Sequence, residues 1–132
     1  MNRKIRFMIL LSYLILITAM SLLPPSALHI PDSGLFPHAD KVVHFGMYSV
    51  MTFLVFYTWP EKFQARYRQL IPLLVVIMWG SAMELLQGLG GYGRHFSHFD
   101  ILANILGFFP GWVAWRWFFN KKYGETIPVH PD

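Results

Sequence analysis

The residues of this chain that could do chemistry begin with an acid, a base and an imidazole at the start of an apolar segment. These residues are Asp40, Lys41 and His44, and no charged residue follows them until after Trp59. Asp40 and His44 are four residues apart, so they would share one face of a helix. A histidine exchanges protons near neutral pH, and a lysine binds anions. The stretch therefore indicates acid–base or anion-binding chemistry.

Two further polar groups repeat this pattern later in the chain. Glu84 and Gln87 are three residues apart, and Asp100 and Asn104 are four apart, so each pair would lie on one helical face. Arg94 lies between the two pairs. If the three faces meet, they form one site that contains both charge signs.

The residue types suggest a division of roles within such a site. His44 or Glu84 would be the general acid or base, and Asp40 would orient His44. Lys41 and Arg94 would hold a phosphate or pyrophosphate, since cations bind such groups strongly. The candidates are, for catalysis, His44, Glu84 and Asp40, and, for substrate binding, Lys41, Arg94, Gln87, Asp100 and Asn104.

The composition places these residues in a membrane protein rather than a soluble one. The chain has 132 residues, of which 55% are hydrophobic and only 14% charged, with a mean hydropathy of +0.40. A soluble domain usually has about a quarter of its residues charged. The length fits one domain, residues 1–132. The absence of cysteine excludes disulfides and thiolate metal sites.

Four apolar runs predict an all-α fold, a four-helix transmembrane bundle. Each run is about as long as the roughly 17 to 25 residues that cross a bilayer core. The runs cover residues 7–23, 42–58, 70–89 and 101–119. The first could instead be a signal peptide, because a basic segment precedes it, but it lacks an Ala-x-Ala cleavage site. A retained anchor is the favoured interpretation.

The positions of the basic residues predict the orientation of the bundle. Lys and Arg in short loops stay on the cytoplasmic side, so both termini and the loop after the second run are predicted to be cytoplasmic. Only Lys41 and Arg94 fall on the outer side. The net charge of +4 is thereby explained, and no nucleic-acid partner is expected. The nine cytoplasmic bases are Arg3, Lys4, Arg6, Lys62, Arg66, Arg68, Arg116, Lys121 and Lys122.

This orientation brings the polar residues to the outer ends of three helices. His44, Glu84 and Asn104 would lie roughly 6 to 9 Å inside the membrane boundary at about 1.5 Å per residue. Polar side chains also join membrane helices at about 0.6 to 2 kcal/mol per hydrogen bond, and this structural role stays open. Acids, bases and an imidazole cost more to insert than Ser or Asn, which favours a functional pocket.

Two other patterns carry weaker predictions. His95, His98 and Asp100, with His44 or His38, could bind zinc, but no single helical spacing organises them. We therefore expect surface loop histidines, no metal site and no cofactor. The Gly107-x-x-x-Gly111 spacing could serve either dimerisation or packing inside one bundle.

In chain order, the polar set resembles the VanZ-like family of small bacterial membrane proteins. The similarity covers residues 40–111 and includes the order of the apolar runs. It implies a multi-pass protein of the bacterial inner membrane, in a family named after a determinant of resistance to the glycopeptide teicoplanin. The residues that carry it are Asp40, Lys41, His44, Phe45, Glu84, Gln87, Gly93, Arg94, Asp100, Asn104, Gly107 and Gly111.

Three functions fit these observations. The first is an enzyme that acts at the outer leaflet on an envelope lipid or lipid-linked precursor. The second is a non-catalytic binder or transporter-like protein for such a molecule or for a glycopeptide-type compound. The third is a structural partner in an envelope complex, in which the polar residues serve helix–helix packing. In all three, the lipid bilayer is the protein's surroundings.

Overall fold

A computed structural model describes residues 1–23, 39–60, 66–90 and 97–123, and within these ranges the chain is helical with no strand. The helices are α1 (Arg3–Leu22), α2 (Ala39–Thr58), α3 (Leu70–Leu89) and α4 (His98–Tyr123), and a short 3₁₀ turn, Arg66–Gln69, leads into α3. The predicted all-α class is confirmed.

Local capping explains where two of these helices begin. The side chain of Asn2 accepts a hydrogen bond from the Lys4 amide at 3.2 Å, which satisfies a free donor at the start of α1. At α4, the Ser97 hydroxyl accepts from the Asp100 amide at 3.3 Å. The Asp100 carboxylate in the first turn also complements the positive end of the helix dipole. Both caps stabilise helix ends outside the apolar runs.

Among the described helices, α1 and α3 are long and apolar enough to cross a membrane, by length and composition. The surface supports this assignment, because large apolar side chains such as Met78 and Leu89 are 71% and 76% exposed. The buried residues, by contrast, include acids and amides, among them Glu84 and Asn104. Fully buried acidic side chains are rare in soluble domains unless they are paired.

α2 and α4 approach each other most closely, and two glycines of α4 make this approach feasible. A Cβ atom added to Gly107 would lie 2.6 Å from the Phe45 carbonyl oxygen, and one added to Gly111 would collide with the Ser49 carbonyl oxygen. Only a residue without a side chain fits at either place. The small-residue face of α4 is therefore used inside the bundle, against α2.

An aromatic core fills the bundle along the same pair of helices. The ring of Phe56 on α2 stacks on Trp115 of α4, with centroids 4.6 Å apart, and also touches Phe108. α1 contributes Leu10 and Ile17, which are 4% and 1% exposed. Because α1 is packed into this core, it is an integral part of the described structure.

Candidate functional site

The site is a set of five side chains that we call the polar cluster: Lys41, His44, Glu84, Asp100 and Asn104. They come from the first turns of α2 and α4 and from the last turns of α3. α2 and α4 begin at this end of the bundle and α3, which runs antiparallel to both, finishes there. Sequence reasoning predicted that the three polar faces would meet, and among the described residues these five lie close together.

Lys41 and Asp100 form the outer edge of the polar cluster. The Lys41 Nζ atom donates to Asp100 Oδ1 at 3.0 Å. Their side chains are 29% and 12% exposed, so this ion pair is the most accessible part of the cluster. A ligand that reaches the cluster through this edge would meet the ammonium group first.

His44 lies deeper, between two oxygen-bearing side chains. Its Nδ1 atom is 3.1 Å from Asn104 Oδ1 and 3.7 Å from Glu84 Oε1. The shorter distance is a hydrogen bond when Nδ1 carries a proton, and the longer one is an electrostatic contact. One ring nitrogen therefore faces an amide oxygen and a carboxylate, an arrangement that can hold or transfer a proton.

Glu84 is the most deeply buried ionisable residue of the cluster, with 0% exposure. Its Oε2 atom accepts a hydrogen bond from the Ser97 amide at 3.3 Å, so the N-terminal end of α4 helps to hold the carboxylate. Sequence reasoning missed Ser97. Its spacing to Asp100 is the helix-start signature of a capping serine and could have revealed it.

Asn104 lies in a close-packed position beside α3. A Cβ atom added to Gly80 would lie 2.8 Å from Asn104 Nδ2 and 3.2 Å from a ring carbon of Tyr48. Asn104 is 1% exposed, and within the described ranges its Nδ2 atom has no hydrogen-bond partner. The amide therefore directs its oxygen to His44 and leaves its nitrogen unsatisfied.

Gln87, which was expected to bind substrate, contacts α1 instead of the polar cluster. Its Nε2 atom donates to the carbonyl oxygen of Ser21 at 2.7 Å, and both residues are buried. The bond joins the ends of α1 and α3. Ser21 was not among the candidates, because a backbone carbonyl leaves no signal in the sequence.

The remaining candidates fall where the structure gives no side-chain description. Asp40 lies in the first turn of α2, and only its backbone is described. Arg94 lies outside the described residues, as do His38 and His95. His98 begins α4 and is exposed. The roles predicted for Asp40 and Arg94 stay predictions.

Three residues of the polar cluster offer atoms that could bind a metal ion. Ligand atoms of His44, Glu84 and Asp100 all lie within 4.8 Å of one another. The sequence favoured no metal site, and the zinc alternative drew on His95, His98 and Asp100 with His44 or His38. The group in the structure shares His44 and Asp100 with that alternative and adds Glu84. A separate groove, lined by Arg3, Lys4, Phe7 and Trp59, contains none of the cluster residues.

No protein-family model, curated protein or solved structure matches this chain. The polar cluster and the helices around it therefore supply the grounds for a functional assignment.

Proposed function

We propose that the chain is a four-span protein of the bacterial inner membrane, related to the VanZ-like family, with both termini in the cytoplasm. In this proposal the polar cluster faces the outer leaflet. It binds the polar head of a cell-envelope lipid or lipid-linked precursor.

The dimensions and surface of the helices support the membrane assignment. α2 and α4 have 20 and 26 residues, which at about 1.5 Å per residue gives roughly 30 and 39 Å. A bilayer core is about 30 Å thick, so both are long enough to span it beside α1 and α3. A contact with α2 supports α1 as a retained helix rather than a cleaved signal peptide. The Tyr13 hydroxyl of α1 donates to the Met47 carbonyl oxygen of α2 at 2.9 Å.

The observation that carries the proposal is the convergence of ionisable side chains from three helices inside an apolar shell. A charged residue in a membrane costs a few kcal/mol, so such residues are usually retained for function. Lys41 at the accessible edge can bind a phosphate oxygen. His44 and Glu84 behind it can accept or donate protons if the bound molecule reacts.

A structural role is the second candidate, and specific contacts favour it. Lys41 pairs with Asp100, His44 with Asn104, and Gln87 with the end of α1. Glu84→Gln and His44→Asn keep size and hydrogen bonding but remove proton exchange. If cells with each of the two variants behave as wild type at equal protein level, acid–base catalysis by His44 or Glu84 is excluded and binding or packing remains.

Topology can be tested directly because the chain has no cysteine. We would introduce one cysteine at a time, as Asn2→Cys and His98→Cys, and treat intact cells with a membrane-impermeant maleimide. The proposal expects position 98 to react in intact cells and position 2 only after permeabilisation. The reverse pattern would overturn the outward orientation of the polar cluster.

Ligand binding can be tested by identifying the lipids that co-purify with the protein. Wild type and Lys41→Gln would be extracted in mild detergent and their bound lipids compared by mass spectrometry, with Lys4→Gln as a control at the opposite end. We expect one envelope lipid class to be enriched with wild type and the control and depleted with Lys41→Gln. Identical lipid profiles in all three would contradict the proposed site.

A further inference from the structure

The atoms at the centre of the polar cluster are arranged as a metal-binding group. We propose that His44, Glu84 and Asp100 bind a divalent first-row transition metal ion, of the Zn²⁺ or Mn²⁺ type. The ligands would be His44 Nδ1 and one carboxylate oxygen each from Glu84 and Asp100. Each ligand comes from a different helix, so the ion would join α2, α3 and α4.

The distances permit this with a small movement. Ligands about 2.1 Å from an ion are roughly 3.0 to 4.2 Å from one another, depending on the coordination geometry. The three ligand atoms lie within 4.8 Å of one another. Closing them on an ion needs side-chain shifts of less than about 1 Å, which a change of rotamer angle supplies without moving the helices.

His44 provides the second argument, because its Nδ1 atom faces two oxygen acceptors and can carry only one proton. Its Nδ1 atom faces Asn104 Oδ1 at 3.1 Å and Glu84 Oε1 at 3.7 Å. A proton on Nδ1 can make a good hydrogen bond to only one of these oxygens. A cation at the same place would attract both, together with Asp100.

Asn104 supplies an independent observation of the same kind. Its side chain is almost fully buried, yet its Nδ2 atom has no partner in the part of the chain described, while its oxygen points at His44. An unsatisfied buried donor costs about 1 to 3 kcal/mol in proteins. An amide oxygen held 3.1 Å from His44 Nδ1 in spite of that cost fits a role as a fourth ligand, beside the imidazole nitrogen and the two carboxylate oxygens.

The donor set selects the kind of metal. One imidazole with carboxylate and amide oxygens suits Zn²⁺, Mn²⁺ or Fe²⁺, whereas Mg²⁺ and Ca²⁺ prefer oxygen alone. Lys41 competes for Asp100, because it contacts Oδ1 at 3.0 Å. Replacing Lys41 by an uncharged residue should therefore tighten metal binding. A purely electrostatic attraction of the ion to the protein surface would also become stronger in that variant, but it would not weaken when His44 is replaced.

This inference concerns the same cluster as the proposed function but needs neither a lipid ligand nor a particular orientation in the membrane. Metal binding is measured with the metal alone on purified protein. If metal binds and no lipid does, the lipid proposal fails while the metal site stands. If a lipid binds and no metal does, the reverse holds.

The experiment uses full-length protein in detergent, freed of any histidine tag and stripped of metal. It is equilibrated with Zn²⁺, Mn²⁺ or Mg²⁺, and bound metal is counted by mass spectrometry. We expect about one Zn²⁺ or Mn²⁺ per chain and at least about tenfold weaker binding of Mg²⁺. Wild-type protein that retains no stoichiometric Zn²⁺ or Mn²⁺ would overturn the proposal.

Variants then locate the ion. Glu84→Gln and His44→Asn should each weaken binding by about 100-fold or more, whereas His98→Gln, an exposed histidine at the same end, should bind as wild type. Equal binding by all three would overturn the site. Because a cluster variant could fail to fold, the Mn²⁺-loaded wild type provides a second measurement. Pulsed electron paramagnetic resonance should detect a coupled nitrogen from His44, and its absence contradicts the proposal.

Discussion

His44 Nδ1 lies 3.1 Å from Asn104 Oδ1, which joins two buried polar side chains across the interface of α2 and α4. Each residue stands about one turn inside its helix, so the two can meet only when the helices start at the same level. The contact therefore fixes the register of α2 against α4. It also connects the polar cluster to the closest helix–helix interface in the bundle.

The strength of this contact can be measured in a double-mutant cycle. Asn104→Ala and His44→Ala should each destabilise the protein. If α2 and α4 span the membrane as proposed, their coupling energy should be about 0.6 to 1.7 kcal/mol, the range measured for hydrogen bonds between membrane helices. Unfolding in mixtures of mild detergent and dodecyl sulfate gives the four free energies of unfolding. If the two effects are additive, the contact contributes nothing to the register.

The glycines of α4 should tolerate no side chain. Gly111→Ala would place a Cβ atom against the Ser49 carbonyl oxygen, so we expect α2 and α4 to separate and the protein to lose at least about 2 kcal/mol of stability. Gly46→Ala is the matched control, since nothing lies within 4 Å of the added atom. It should be neutral or stabilising by up to about 1 kcal/mol, because alanine favours helix. Equal losses in both variants would contradict the close approach.

Two tryptophans of the same helix should differ in their contribution to stability. Trp115 is 3% exposed and stacks on Phe56, whereas Trp117 is 67% exposed. Trp115→Ala leaves a cavity and should cost about 2 to 3 kcal/mol, which in the proposed membrane setting is somewhat less than in soluble proteins because no transfer from water is lost. Trp117→Ala should change the free energy of unfolding by less than about 0.5 kcal/mol. The same denaturation assay compares them, and similar losses would argue against the aromatic core.

The pair between Lys41 and Asp100 should respond to salt. Because its side chains are 29% and 12% exposed, solvent screens it, and we expect a coupling energy of about 1 kcal/mol or less. A cycle of Lys41→Met and Asp100→Asn, measured at about 0.05 M and 0.5 M sodium chloride, should show coupling that falls with salt. Coupling that does not change would mean that the pair is sealed from water.

The helices were predictable in number and approximate position because long apolar runs carry a strong signal. The third run, 70–89, matches α3 at both ends. The first and fourth runs were too short, since α1 begins at Arg3 and α4 extends to Tyr123. An apolar run ends at the first charged residue. Arg and Lys are nevertheless good helix formers, so the helix continues beyond the run.

The members of the cluster were predictable from helical spacing, whereas their partners were not. Spacing placed His44 and Asn104 on inward faces, but periodicity along one helix does not say which helix lies opposite. Sequence reasoning predicted that the acids would pair with the two outer bases, without saying which acid contacts which base. The structure pairs Lys41 with Asp100. Gln87 bonds a backbone carbonyl of α1, a partner that no side-chain pattern could indicate.

The pairing of α2 with α4 also determines how the protein can be assembled during synthesis. Lys41 and His44 emerge early, with α2, but their partners Asp100 and Asn104 belong to the last helix. In the proposed four-span topology, these polar groups lack those partners until α4 is inserted, at a cost of a few kcal/mol in lipid. On that proposal we expect nascent α2 to be held near the membrane surface or by the insertion machinery. We expect a polypeptide that stops short of α4 to be degraded rather than to persist as a smaller bundle, because Lys41 and His44 would lose these partners.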